Sequence, residues 1–222
     1  MAEVMVNLKR TLLRSLRLRS LRHPFLSGKQ PGLGTGAMVA LVVLGVLVVG
    51  GLFFAGTYNG LVGADTTVEQ KAADLDSQLK RRADLIPNLV STVKGYASHE
   101  KDIFESVANA RSRLLSADVR KDPAEAAQAN GAFNSALGRL LAIAENYPQL
   151  KADQNFIRLQ DELTGTENRI TFGRIQYNEA VKNYNLKVRS FPTVLLAGMM
   201  GFERKASFEA TEAEKAVPKV AF

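Results

Sequence analysis

The sequence predicts an all-α protein: an N-terminal transmembrane helix followed by an up-down antiparallel bundle of four long helices. Three observations carry this reading. From Met38 to Tyr58 no residue is charged, and at about 1.5 Å per residue a run of that length crosses the roughly 30 Å hydrocarbon core of a bilayer. Beyond it, apolar residues recur at steps of three and four, the period of one helix face. No alternating apolar-polar run of useful length, the mark of a half-buried strand, breaks that period.

Charge divides the chain. Residues 1–35 hold seven Lys or Arg (Lys9, Arg10, Arg14, Arg17, Arg19, Arg22 and Lys29) against Glu3, a net +6, so the rest of the 222 residues contributes only +1 to the formal +7. The basicity belongs to the arm. Lys and Arg in short flanking segments favour the cytoplasmic side of a membrane, and between Tyr58 and Ser77 only Lys71 stands against four acids. The expected topology is N-terminus in, following domain out. The expected organisation is a basic, Gly/Pro-hinged cytoplasmic arm (1–37), the span (38–58), the bundle (59–198) and a loosely ordered tail (199–222).

In the arm, Val4, Met5, Leu8, Leu12, Leu16 and Leu21 recur at near-helical spacing. A basic amphipathic helix on an anionic leaflet and an unstructured topology signal both fit that pattern; a mitochondrial targeting reading is weaker, because a full span follows. Gly32, Gly34 and Gly36 do not make a phosphate loop, because no strand precedes them and the helix that follows belongs in lipid. Within the span, the pairs Gly51/Ala55 and Gly56/Gly60 have the small-xxx-small spacing that lets membrane helices approach, so a homo-oligomer through either pair is one expectation.

The first bundle helix carries the stripe Val68, Ala72, Leu75, Leu79, Ile86, Val93 and Ala97, and Pro87 should kink it near Ala83 to Ile86. Whether this helix is continuous with the span is open: Gly60 and Gly63 weaken continuity, and Asp65 or Thr66 is a possible separate start. A second helix is expected from a Ser98 cap to about Ala117. The third has the clearest start, Asp122-Pro123-Ala124-Glu125, with Asp as cap, Pro at the first position and Glu placed to reach back to the cap N–H; it should stop at Pro148. The fourth begins near Asp153 and ends at Phe191-Pro192. Apolar Val194 to Phe202 should form a short helix against the bundle or the membrane surface, and the tail from Glu203 should be loosely held. Pro218-Lys219-Val220-Ala221-Phe222 reads as a frayed terminus, with capture of its carboxylate as the alternative.

Catalytic chemistry has little to work with. There is no Cys, hence no disulfide, thiol or iron–sulfur chemistry, and the only histidines are His23 and His99. His99-Glu100 lacks a second His at i+4 for zinc, and no Gly-x-Ser-x-Gly elbow or Walker loop exists. Asp74/Asp76 and Asp161/Glu162 are too close in sequence to share a helix face and read as solvated acids. No enzyme, no metal and no cofactor are expected. Nucleic acid is an unexpected partner too, because the near-neutral domain lacks a basic stripe interleaved with aromatics.

The candidate site is polar. Arg82 and Glu167 fall on or beside the apolar stripes, and antiparallel helices would bring Arg82 to Glu167 or Asn168. A packing-specifying polar layer is the favoured reading. The alternative is a small anion or peptide held by Arg81, Arg82 and Arg169.

Four motifs then occur in order: QLKRRADLIPNLVSTVKGYASHE (78–100), AENYPQLKADQNFIRLQDELTGTENRI (144–170), YNEAVKNYN (177–185) and FP at 191–192. With Tyr58-Asn59-Gly60-Leu61-Val62 after the span, and Gly201-Phe202 and Phe208-Glu209 in the tail, they resemble the LemA family of bacterial membrane-anchored helical proteins. The resemblance covers nearly all of the chain from Tyr58. It implies a long-helix bundle on one membrane anchor and brings no catalytic residues; with the charge asymmetry, the expected location is the bacterial cytoplasmic membrane with the domain periplasmic or extracellular. The arm is longer than the family's short leader, and Gly63-Ala64-Asp65 replaces a basic, helix-compatible stretch. The expected role is a scaffold or interaction module touching membrane lipids and an envelope protein.

Overall fold

The computed structural model describes residues 34–209, so the basic arm, most of its Gly/Pro hinge and the Pro218–Phe222 terminus lie outside the described residues. Helices are α1 (Thr35–Lys94), α2 (Lys101–Ser116), α3 (Pro123–Asn146), α4 (Pro148–Lys151), α5 (Gln154–Arg189) and α6 (Thr193–Ala197), and no strand occurs among the described residues. The chain forms two units, Met1–Gly51 and Leu52–Phe222. In the first, residues 35–51 are helical and every side chain is exposed. The most apolar 18-residue window of α1 has a mean hydropathy of 2.8 and none of it is buried, so this helix is long and apolar enough to cross a membrane.

The second unit holds the core. No new helix starts at Asp65 or Thr66: α1 runs through Gly60 and Gly63 without a break. The residues that would cap a separate helix are used otherwise. Thr66 and Thr67 turn their hydroxyls back to the carbonyls of Val62 and Gly63, at 2.9 and 2.8 Å, and two helical glycines cost only about 1 kcal/mol each.

α1 and α5 pack antiparallel, and specific contacts mark the register. Lys187 Nζ donates to the Gly60 carbonyl, Lys71 Nζ to Gln176 Oε1, and the Tyr96 hydroxyl to Asp153 Oδ2; as one index rises the other falls by almost the same amount. Gly173 allows the closest approach, since a Cβ there would lie 3.3 Å from Leu75. α2 runs back along α1, with Arg111 beside Ala83 and Val119 beside Asp76, and α3 returns with Asn134 beside Arg82. The up-down order is therefore α1, α2, α3, α5, around a core that includes Leu75, Ile86, Phe133, Leu140, Phe156 and Ile170.

One helix start differs from expectation. α2 begins at Lys101, because Tyr96 and Ala97 still bond back to the Val93 carbonyl and leave Ser98 in the turn; Glu100 takes the cap position without a side-chain bond. α3 begins as expected, with Asp122 accepting from Ala124 and Glu125 N–H at 3.0 and 2.9 Å. The reciprocal Glu125 bond is replaced, since the Asp122 N–H donates to the Asp118 carbonyl. Pro148 ends α3 and opens the one-turn α4, after which Asp153 caps α5 through the N–H groups of Asn155 and Phe156.

Pro87 lies inside α1, and what it removes is supplied from outside. Its missing N–H orphans the Ala83 carbonyl, which accepts from Arg111 Nε at 2.8 Å, while Arg111 also pairs with Asp84 at 3.6 Å. Arg111→Met is expected to destabilise the unit by roughly 1–3 kcal/mol, the cost of an unmet buried polar group. In a Pro87→Ala background the helix supplies its own donor, so the same substitution should cost measurably less in a denaturant-melt double-mutant cycle.

α2 and α3 are 16 and 24 residues against 36 for α5. Their connecting turn meets α1 at Asp76, and the end of the α1–α5 seam toward Gly60 lies beyond it. Residues 203–208 cover that stretch. Gly201, with φ +78°, makes the left-handed turn out of α6 that sends the chain back, and Lys205 then pairs with Asp65 on α1. The loosely held tail expected from Glu203 is, through Phe208, an ordered strap.

Candidate functional site

Two constellations stand out, one in the core and one on α5. In the first, α1, α3 and α5 converge on Arg82, whose side chain is 7% exposed. It pairs with Glu167, donates to Asn134 Oδ1 at 2.7 Å and lies 5.3 Å from the Phe133 ring centroid. Buried Thr166 satisfies its hydroxyl on the Leu163 carbonyl at 2.7 Å, and buried Asn130 lies on the same helix as Asn134. A guanidinium held by a carboxylate, an amide and a ring face has its charge compensated inside the bundle.

Of the five residues expected at this site, the structure unites Arg82 and Glu167. Arg81, Asn168 and Arg169 are exposed. Asn168 and Arg169 instead line a cleft of about 470 Å³ between α1 and α5, with Gln78, Phe172 and Gly173. Asn134 and Phe133, not foreseen, come from α3; an Asn one place from a core Phe carries no signal until the helix facing Arg82 is known.

Asp76 corrects another expectation. Asp74 is exposed, but Asp76 is buried, accepting from the Val119 N–H at 3.1 Å with Arg120 4.0 Å away. Burial pushes its carboxyl above the ordinary 3.8, partly offset by the Val119 bond. A raised acid contributes its stabilisation below its unfolded value and loses it as pH rises through the folded one. Asp76→Asn, which keeps an acceptor for Val119, is therefore expected to gain on the wild type in thermal melts as pH rises from about 4.

The second constellation is the strap ladder. Asn178 and Asn185 each hold one strap residue at both backbone groups. Asn178 accepts from the Phe208 N–H at 2.8 Å and donates to its carbonyl at 3.0 Å, and Asn185 does the same for Lys205 at 3.0 and 2.8 Å. Tyr177 and Tyr184 donate their hydroxyls to the carbonyls of Ala206 and Glu203. The spacing is commensurate: seven helical residues rise about 10.5 Å, and three extended residues span about 10 Å. Phe208 is buried as the anchor, with the Arg174 guanidinium 5.4 Å from its ring centroid, and Lys205 Nζ lies 5.4 Å from that of Tyr184. Burial raises the Tyr177 hydroxyl to about 12, so it stays a donor across the neutral range. The sequence signal was the Tyr-Asn pair repeated at seven residues within YNEAVKNYN, unreadable without the segment it holds.

His99 is exposed in the α1–α2 turn, and among the described residues no group of three or more His, Cys, Asp or Glu is placed to hold a metal. A sequence model of the LemA family matches residues 71–222. The chain is 28% identical to magnetosome protein MamQ 2 of Paramagnetospirillum magneticum, over 80% of this chain and 74% of that protein. It is 24% identical to protein LemA of Metamycoplasma hominis, over 77% of this chain and 78% of that one.

Proposed function

Because the chain belongs to the LemA family, we propose that it is a single-pass membrane-anchored protein whose helical bundle is a non-enzymatic interaction or scaffold module on the outer face of a bacterial cytoplasmic membrane. The observation that carries this reading is the uncovered apolar window of α1 in a chain whose second unit has a fully packed core. Among the described residues no other helix exposes so long an apolar run, and a bilayer is the solvent that accepts one. The +6 arm supports the cytoplasmic N-terminus. Its partners are lipids around the span and under the arm, an envelope protein at the bundle, and a second copy through Gly51/Ala55 or Gly56/Gly60.

The test is proximity labelling from a fusion to the bundle in intact cells. Enrichment of extracytoplasmic and membrane proteins is the expected outcome, whereas a purely cytoplasmic set overturns the topology. A second reading, a ligand sensor, is favoured by the cleft that Asn168 and Arg169 line beside exposed Phe172. A small anion or peptide with an apolar group would suit it. Arg82 does not line this cleft and Arg169 does, so Arg169→Ala should abolish such binding while leaving the melt unchanged.

A further inference from the structure

We infer that the α6 corner, residues 191–199, is a second membrane contact: an apolar foot seated at the boundary between headgroups and acyl chains of the outer leaflet. The inference rests on the reading of Met38–Tyr58 as the span. Its first support is level. Lys187, just before the corner, donates to the Gly60 carbonyl, and Phe202, just after it, packs its ring edge-on to Tyr58 at 5.9 Å between centroids. Both partners stand where the uncharged run leaves the expected hydrocarbon core, the depth at which tyrosine collects. The corner is thus tied, within the second unit, to the residues where the span ends.

Its second support is composition. Phe191 is 80% and Met199 83% exposed, and Val194 and Leu195 are exposed between them, while Ala197 is buried and Leu196 half-buried. The opposite end of the bundle presents Ser98, His99 and Lys101 to solvent. Tyr96 and Ile157 at that far end are only 38% and 36% exposed, so of the two ends it is the one joined to the span that gathers the strongly exposed apolar side chains. Lys187 and Arg189, exposed on the last turn of α5, add basic groups that extend toward headgroups while their stems stay apolar. Four apolar side chains with flanking cations on a short corner are the pattern of an interfacial contact; a free water-facing corner has no use for them.

The chain contains no tryptophan, so a single introduced indole is an unambiguous depth reporter. The full chain would be reconstituted in vesicles of phosphatidylcholine and phosphatidylglycerol, with and without brominated phosphatidylcholine. It would carry Leu195→Trp or Met199→Trp at the foot, Leu47→Trp in the span, or Ile157→Trp at the far end of α5. At least about a twofold loss of emission is expected for the span and both foot positions, with Ile157→Trp unaffected. Quenching of Leu47→Trp with both foot positions behaving like Ile157→Trp overturns the foot and leaves the anchor standing. A foot that emits in the blue yet is not quenched, as when covered by another copy, also overturns it. Failure to quench Leu47→Trp removes the span and the foot together.

Discussion

Arg82→Ala is expected to lower the stability of the bundle by roughly 2–4 kcal/mol, somewhat under the full cost of breaking a buried ion pair because Glu167 retains partial access to water. The exposure difference decides this: the Arg82 side chain is 7% exposed and that of Glu167 39%. What is lost is mainly on the arginine side, namely the Asn134 bond, the Phe133 face and the volume of a long side chain in the core. For a unit of this size the melting temperature should fall by about 10 °C. Replacing both partners with apolar residues, Arg82→Met with Glu167→Leu, should recover most of the loss, because an apolar pair leaves no buried charge to compensate. A normal melt for Arg82→Ala combined with lost function would instead assign Arg82 to ligand recognition.

The second large effect is on the strap. Phe208→Ala removes the anchor, and a core Phe→Ala costs about 3–5 kcal/mol when the site cannot collapse. The strap can detach, though, so the loss should divide: a fall of about 2 kcal/mol in global stability and near-complete loss of hydrogen-exchange protection at the Lys205 and Phe208 amides. Asn178→Ala with Asn185→Ala, which leaves Phe208 in place, should expose the same two amides, because each asparagine is the acceptor for one of them. High pH should act the same way. With a folded Tyr177 value near 12 against an ordinary 10, its contribution is complete below about 10 and disappears as pH climbs to about 12. Protection that persists in the double asparagine variant would mean that Phe208 alone holds the strap.

How much of this was legible depended on whether the signal was local. The helical class, the Asp122 cap, the start of α5 near Asp153 and the pairing of Arg82 with Glu167 or Asn168 follow from local signals, periodicity and the antiparallel order that short connections impose. The missed features need a partner distant in sequence. Asp76 looks solvated until the turn at Val119 lands on it, and Asn134 is one of several helical asparagines until α3 meets Arg82. Residues 203–208 form no hydrogen bonds among themselves that would show in a local pattern; their order comes from side chains about 20 to 30 positions earlier. Gly60 and Gly63 misled in the other direction. Glycine lowers helix propensity by only about 1 kcal/mol, and tertiary packing of Leu61 and Val68 along α5 overrides it.

The central claim is that the span places arm and bundle on opposite sides of a membrane, and the absence of cysteine makes it directly measurable. Single-cysteine variants Ser20→Cys in the arm and Ser98→Cys at the exposed α1–α2 turn would be treated with a membrane-impermeant maleimide in intact spheroplasts and again after detergent lysis. A bundle on the outer face gives labelling of Ser98→Cys before lysis and of Ser20→Cys only after it. Protection of Ser98→Cys until lysis would contradict the topology on which the proposed function stands.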